Sequence, residues 1–143
     1  MSPAEIKTRV WRLIDQLWNR GDLTASAQAL APVVTMHFNG NTQLLTVAQM
    51  NTIVSYWREA YPDFHFTLGD IAAEGDRTTL HLTFTGTSCG EGFGAEAPGQ
   101  RVVMNERLTC RLKGDKIVEM WEEYEEPAVK QQFGFVPLPL TVG

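Results

Sequence analysis

Basic residues are scarce in this chain: 12 Lys and Arg stand against 17 Asp and Glu, for a net charge of -5. Arg107 and Arg111 share one predicted strand, but two charges fall short of the basic face that nucleic acid requires. Cysteine is rarer still. Cys89, Cys110 and the three histidines show neither CxxC nor HxxxH spacing, so no metal-ligand pattern is present and no metal site is expected. Long apolar runs are missing: none approaches the ~20 residues that span a bilayer. Met1–Lys7 is polar and no apolar run follows it, unlike a signal peptide. A cytoplasmic location is expected, where free thiols are usual.

What remains is ordinary globular material, 43% hydrophobic and 20% charged over 143 residues, without repeats or low-complexity stretches. One domain, 1–143, is the simplest organisation. Ile6, Val10, Leu13, Ile14, Leu17 and Trp18 recur at helical spacing, with Ser2 as N-cap and Gly21 as stop. A shorter helix is predicted from about Leu23 to Ala31, ended by Pro32. Val33–Phe38 reads as a strand closed by an Asn39-Gly40-Asn41 turn. Thr46 opens a third helix that ends before Pro62.

From there the period falls from 3.6 to 2. Phe64, Phe66 and Leu68, then Leu80, Leu82 and Phe84, then Met104, Leu108, Cys110 and Leu112 each keep one parity. Turns at Glu74-Gly75-Asp76 and Gly114-Asp115 separate these strands. Helices followed by antiparallel strands make an α+β domain, its sheet curled with helices on the concave face. Gly86–Gly99 reads as a mobile lip, Pro127 breaks the last strand into a short helix, and Pro137–Gly143 reads as a loose tail.

Register places the pocket. A tight turn at Gly114-Asp115 sets Glu125 opposite Met104, Trp121 opposite Leu108 and Glu123 opposite Glu106. Keeping apolar residues on one face of the preceding pair sets Leu82 opposite Leu108, Phe84 opposite Glu106 and Ser88 opposite Val102. The result is an apolar cup of Leu80, Leu82, Phe84, Met104, Leu108 and Trp121, with Ser88, Glu106, Glu123 and Glu125 at its far end. Three carboxylates on one buried face repel and desolvate, so at least one must turn outward, with Glu106 and Glu125 the better candidates to stay. The same register holds Cys89 and Cys110 roughly 30 Å apart at ~3.3 Å per residue, so no disulfide is expected.

Several segments resemble the SnoaL-like polyketide cyclases of the NTF2-like (cystatin-like) superfamily. They are Leu17-Trp18-Asn19-Arg20-Gly21-Asp22, Tyr61-Pro62-Asp63-Phe64-His65-Phe66-Thr67, Gly86-Thr87, Lys116-Ile117-Val118-Glu119-Met120-Trp121 and Gln132-Phe133-Gly134. The resemblance implies a curved antiparallel sheet wrapped around three N-terminal helices, a deep apolar cavity, and homodimers or homotetramers packed through sheets. It also implies ring closure of a polyketide by aldol chemistry without metal or cofactor. The family's acid lies four positions after the strand tryptophan, which is Glu125 here, where the family pattern has aspartate. The family commonly has histidine after Gly-Thr, where this chain has Ser88, and His37 matches a family histidine at the pocket edge.

The candidate catalytic residues are therefore Glu125 as acid or base, with His37 and Ser88, or Asn105, as donors to a developing oxyanion. Trp18, Trp57, Phe84, Met104, Asn105, Glu106, Leu108 and Trp121 are the candidate substrate wall. Each has a structural alternative: the tryptophans as plain core, Glu106 as a structural residue, and the five glutamates of 119–126 as a solvated strand edge. Three functions follow. One is a cofactor-independent cyclase or isomerase acting on a small apolar carbonyl compound through an enolate. Another is a hydrolase or dehydratase using carboxylate-activated water, favoured if Asp63 or Glu106 pairs with Glu125. The last is a non-catalytic binding module for a small apolar molecule. No nucleic-acid or membrane partner is expected.

Overall fold

The computed structural model describes residues 1–89 and 98–124. Glu125, the helix expected after Pro127, the Gln132-Phe133-Gly134 segment, the tail and the middle of the Gly86–Gly99 segment lie outside the described residues.

The first helix, α1, runs Pro3–Ile14, and one π-helical turn, Asp15–Asn19, continues it. Ser2 caps it as expected: its hydroxyl accepts from the Glu5 N–H, and the Glu5 carboxylate accepts from the Ser2 N–H. A short α2, Thr24–Ala29, leads into β1, Leu30–Phe38. The Asn39-Gly40 turn then feeds β2, Asn41–Thr46, a strand that sequence patterning missed. The miss has a cause: Leu44 is exposed beside buried Leu45, so this edge strand shows little alternation. Thr46 caps α3, Val47–Ala60, with Gln49 answering it in a second reciprocal cap.

The remaining strands are β3, His65–Glu74, β4, Arg77–Thr87, β5, Arg101–Lys113, and β6, Lys116–Tyr124. They form one curved six-stranded sheet in the order β2-β1-β6-β5-β4-β3. All pairings are antiparallel except β1 with β6, which is parallel. The helices lie on the inner face. Val10, Leu13, Ile14 and Leu17 from the first helix and its π turn, with Ile53, Val54 and Trp57 from α3, join Leu80, Leu82, Phe84, Leu108 and Met120 in one buried core.

Two details hold the π turn against the sheet. The Asn19 side chain accepts from the Phe66 N–H at 2.6 Å and donates to the Phe66 carbonyl at 2.9 Å. Arg58 Nη1 donates to the Trp18 and Asn19 carbonyls at 2.6 and 3.1 Å. Gly21 ends this stretch with φ +68°, and a Cβ there would come within 2.8 Å of Arg58 Nε. Both the backbone angle and the packing require glycine.

The two central registers differ from the sequence expectation in unequal ways. Between β4 and β5, Leu80 faces Leu108, Leu82 faces Glu106 and Phe84 faces Met104. That is a slip of two residues, which keeps every side chain on the expected face. Between β5 and β6, the turn-proximal pairs Lys113 with Lys116 and Leu112 with Ile117 match the tight-turn expectation. Beyond them Arg111 faces Glu119, so Val118 is a one-residue bulge. From there to Tyr124 the face of every β6 side chain is inverted: Trp121 and Glu123 turn out, and Glu122 turns in.

A candidate acid–base pocket on the inner face of the sheet

The bulge at Val118 builds the site. It brings Glu122 opposite Leu108 and Tyr124 opposite Glu106, so the two glutamates are diagonal neighbours on the inner face. Trp18 from the π turn, Trp57 from α3, Phe64, Phe66, Phe84 and Met104 complete the wall. The rings interlock. Trp18 stacks on Phe64 with centroids 5.2 Å apart, and Phe84 lies 4.6 Å from Phe64, 5.3 Å from Tyr61 and 6.0 Å from Trp57. Gly86 permits this closeness, because a Cβ there would sit 2.9 Å from the Phe84 ring and 3.0 Å from Tyr61 Cβ.

The rings fill most of the space. The void between them is about 20 Å³, room for roughly one water molecule. The described residues therefore enclose a narrow aromatic pocket, in place of the deep cavity expected from the resemblance.

Electrostatics single out the carboxyl pair. Glu106 is 6% exposed, and its Oε1 has no hydrogen-bond partner among the described residues. Desolvation, and then the neighbouring Glu122 charge, push its pKa well above the ordinary carboxylate range. Desolvation likewise raises Glu122, to about 7. None of the described residues lining the pocket is basic. Two carboxyls facing an apolar wall without a countercharge cannot both ionise cheaply, and they titrate as a pair.

That arrangement has a measurable consequence for folding. Below about pH 4.5 both carboxyls are protonated in the folded and unfolded chain, and the pair carries no penalty. Between that pH and about 7 the unfolded chain releases protons that the folded protein retains, so stability falls as pH rises through this window. Urea unfolding is expected to give a stability lower at pH 8 than at pH 5 by on the order of a few kcal/mol. A double Glu106→Gln, Glu122→Gln variant should lose most of that slope. A profile that is flat or rising over the window would contradict the raised pair.

The expected site residues separate into two groups. Trp18, Trp57, Phe84, Met104 and Glu106 line the pocket, and Leu108 is buried beside them in the core. Trp121, Asn105 and His37 stand on the opposite face of the sheet. Trp121 was turned there by the bulge, and Arg77 covers its ring at 4.6 Å. Asn105 is exposed because it has the outward parity of β5, and its carbonyl accepts from the Thr83 hydroxyl at 2.8 Å. His37 stacks on Trp121, with Nε2 2.6 Å from Glu119 Oε2 and Nδ1 2.9 Å from Thr42 Oγ1. Glu119 also accepts from Arg111 at 2.9 Å. The His37 hydrogen bond is the main reason its pKa is lowered, against the opposing effect of burial. This cluster ties β2, β1, β6 and β5 together across the outer face.

Ser88 is buried just past β4, where its N–H donates to the Gln100 carbonyl and its own carbonyl accepts from Gly99. It does not line the void. Asp63 is exposed; burial disfavours its charge slightly, but the N–H and hydroxyl of Thr87 outweigh that and lower its pKa. It anchors the end of β4 and has no contact with the pair. The outward Glu123 pairs with Arg107 at 2.8 Å. Cys89 is exposed, Cys110 is buried, and both are free thiols. Among the described residues no helix is long and apolar enough to cross a membrane.

Glu122 is the functional candidate that sequence reasoning missed. The outward turn expected of at least one carboxylate does occur, through the bulge at Val118, which turns Glu123 out and Glu122 in.

A curved sheet covered on its inner face by N-terminal helices is the architecture of the NTF2-like cyclases. This chain belongs to the SnoaL-like polyketide cyclase family, whose model matches residues 8–133. Solved structures agree. AclR from Streptomyces galilaeus, a candidate hydroxylase, is 29% identical with a TM-score of 0.79, covering 95% of this chain and 100% of its own. A candidate polyketide cyclase from Acidithiobacillus ferrooxidans is 24% identical with a TM-score of 0.81, covering 94% and 98%. IdmH from Streptomyces antibioticus, also a candidate polyketide cyclase, is 20% identical with a TM-score of 0.75, covering 94% and 100%. No curated protein matches the sequence.

Proposed function

We propose that the protein is a cofactor-independent cyclase or isomerase of the polyketide-cyclase type, acting on a small apolar carbonyl compound through an enolate. The observation that carries this reading is the Glu106–Glu122 pair in an aromatic pocket lined, among the described residues, by no basic side chain. Enolate chemistry needs a base near neutrality and a donor for the oxygen that becomes negative. The pair supplies both when it shares one proton. Glu122, raised to about 7, is the base that takes the proton next to the carbonyl. Glu106, more deeply buried, remains protonated and donates to the developing oxyanion. The aromatic wall excludes water and disfavours charge on the pair, which favours these protonation states.

Glu125 is a third carboxyl in this proposal, as the residue matching the family's acid, and it lies outside the described residues. Homodimers or homotetramers belong to the same proposal, as does the hydrolase or dehydratase alternative, in which a Glu122-activated water replaces the carbon acid.

The test is a turnover screen of small ketones and polyketide-like esters between pH 5 and 9. Activity should rise through an apparent pKa near 7 as the shared-proton form appears, then decline as Glu106 ionises. Turnover that does not change across this range would remove the carboxyl pair from the mechanism.

A further inference from the structure

We infer that Asn39 is a positioning residue of the pocket: from the β1–β2 turn it completes the sheet beside the last residues of β6 and so fixes Glu122 and Tyr124 on the inner face. The inference rests on the acid–base reading of the pair and deepens it by assigning what holds Glu122 in place. Two strands flank this end of β6 unequally. On one side β5 pairs with it as far as Tyr124, opposite Glu106. On the other, parallel β1 stops at Phe38, opposite Glu122. A regular parallel neighbour would add one more residue, donating its N–H to the Glu122 carbonyl and accepting from the Tyr124 N–H through its own carbonyl.

Asn39 makes both bonds while leaving the strand. Its N–H donates to the Glu122 carbonyl at 3.2 Å, and its side-chain Oδ1 accepts from the Tyr124 N–H at 3.3 Å. Its φ of +42° meanwhile turns the chain into Gly40, at φ +93°, and β2. The left-handed turn takes the main chain out of the ladder, and the amide oxygen supplies the acceptor in its place. Were a left-handed φ the only demand on position 39, glycine would meet it at least as well. Asparagine tolerates the turn and adds the acceptor. The Phe38 ring packs edge-on against Tyr124 with centroids 4.8 Å apart, so the end of β1 grips both the backbone and the ring of that residue. Tyr124 lines the pocket together with Glu106 and Glu122. A frayed strand end here would admit water to Glu122 and relieve the desolvation that governs its charge.

The experiment separates this role from that of an ordinary turn residue. Asn39→Gly keeps the turn and the main-chain bond to Glu122 and removes only the Oδ1 acceptor, whereas Asn39→Asp keeps an acceptor there and adds a charge. Carbon NMR of the glutamate-labelled full chain follows the Glu122 carboxyl between pH 4 and 9, with Glu122→Gln identifying its signal. The titratable groups around it are Glu106 and Cys110 on β5 and Tyr124 on β6; the other described residues lining the pocket are uncharged. Asn39→Gly should lower the Glu122 pKa from about 7 by roughly half a pH unit or more, and speed exchange of the Tyr124 amide roughly fivefold, the worth of one hydrogen bond. Asn39→Asp should keep that amide protected and hold the pKa at or above its wild-type value. An unchanged Glu122 titration in Asn39→Gly, with circular dichroism retained, would make Asn39 a turn residue only and overturn the inference, as would a lowered pKa in Asn39→Asp. These readings need no substrate. An ordinary carboxylate titration of Glu122 in the wild type removes the acid–base reading itself, whereas a raised one that is indifferent to position 39 removes the inference alone.

Discussion

Glu122→Gln is expected to lower turnover of any carbonyl substrate by about 10²–10⁴-fold, the usual contribution of a positioned general base. The substitution keeps the shape of the side chain and removes its titrating proton, so the fold should be retained. Stability at pH 8 should rise, because the variant no longer forces a second charge beside Glu106. Loss of rate joined to a gain in stability is the signature of a catalytic carboxyl held at a cost to the fold. Glu125→Gln is the informative companion. If Glu122→Gln leaves the rate intact while Glu125→Gln abolishes it, the family's acid carries the reaction and the inner-face pair does not.

Phe84→Ala is expected to destabilise the protein by about 3–5 kcal/mol, a large share of the ~5–15 kcal/mol reserve of a typical domain. Phe84 is 1% exposed and its ring meets Trp57, Tyr61, Phe64 and Phe66. Removing it deletes contacts to both the helical layer and the sheet, and the interlocked rings leave little freedom to collapse into the space. Urea unfolding measures the effect directly. Trp121→Ala is the control: a larger side chain, but partly exposed on the outer face against His37 and Arg77. It should cost appreciably less. The opposite order would mean that the aromatic cluster on the inner face is not the centre of the core.

Much of this architecture was legible before any coordinates. The 3.6-residue spacing of Ile6 to Trp18, the caps at Ser2 and Thr46 and the turns at Asn39-Gly40, Glu74-Gly75-Asp76 and Gly114-Asp115 are local signals, and each local expectation agrees with the structure. The alternation in β4 and β5 is strong enough that Leu80, Leu82, Phe84, Met104, Glu106 and Leu108 stayed on the inner face despite a two-residue slip in pairing. Family membership was legible for a similar reason, being spread over short segments along most of the chain. β2 was not, since its exposed edge carries almost no pattern.

The amino-acid sequence by itself determined the α+β class, the apolar faces of the helices and of β4 and β5, and the presence of Glu106 among buried residues. Only the tertiary structure decided which β6 residues join it. Ile117 to Tyr124 reads Ile-Val-Glu-Met-Trp-Glu-Glu-Tyr, in which neither parity is cleanly apolar, so local pattern cannot choose a face. The choice falls to the bulge at Val118, whose one extra residue satisfies β6's pairing with β5 on one side and parallel β1 on the other. Because strand side chains alternate with a period of two, that single residue exchanges Trp121 and Glu123 for Glu122 and Tyr124 on the inner face, and so decides which carboxyl neighbours Glu106.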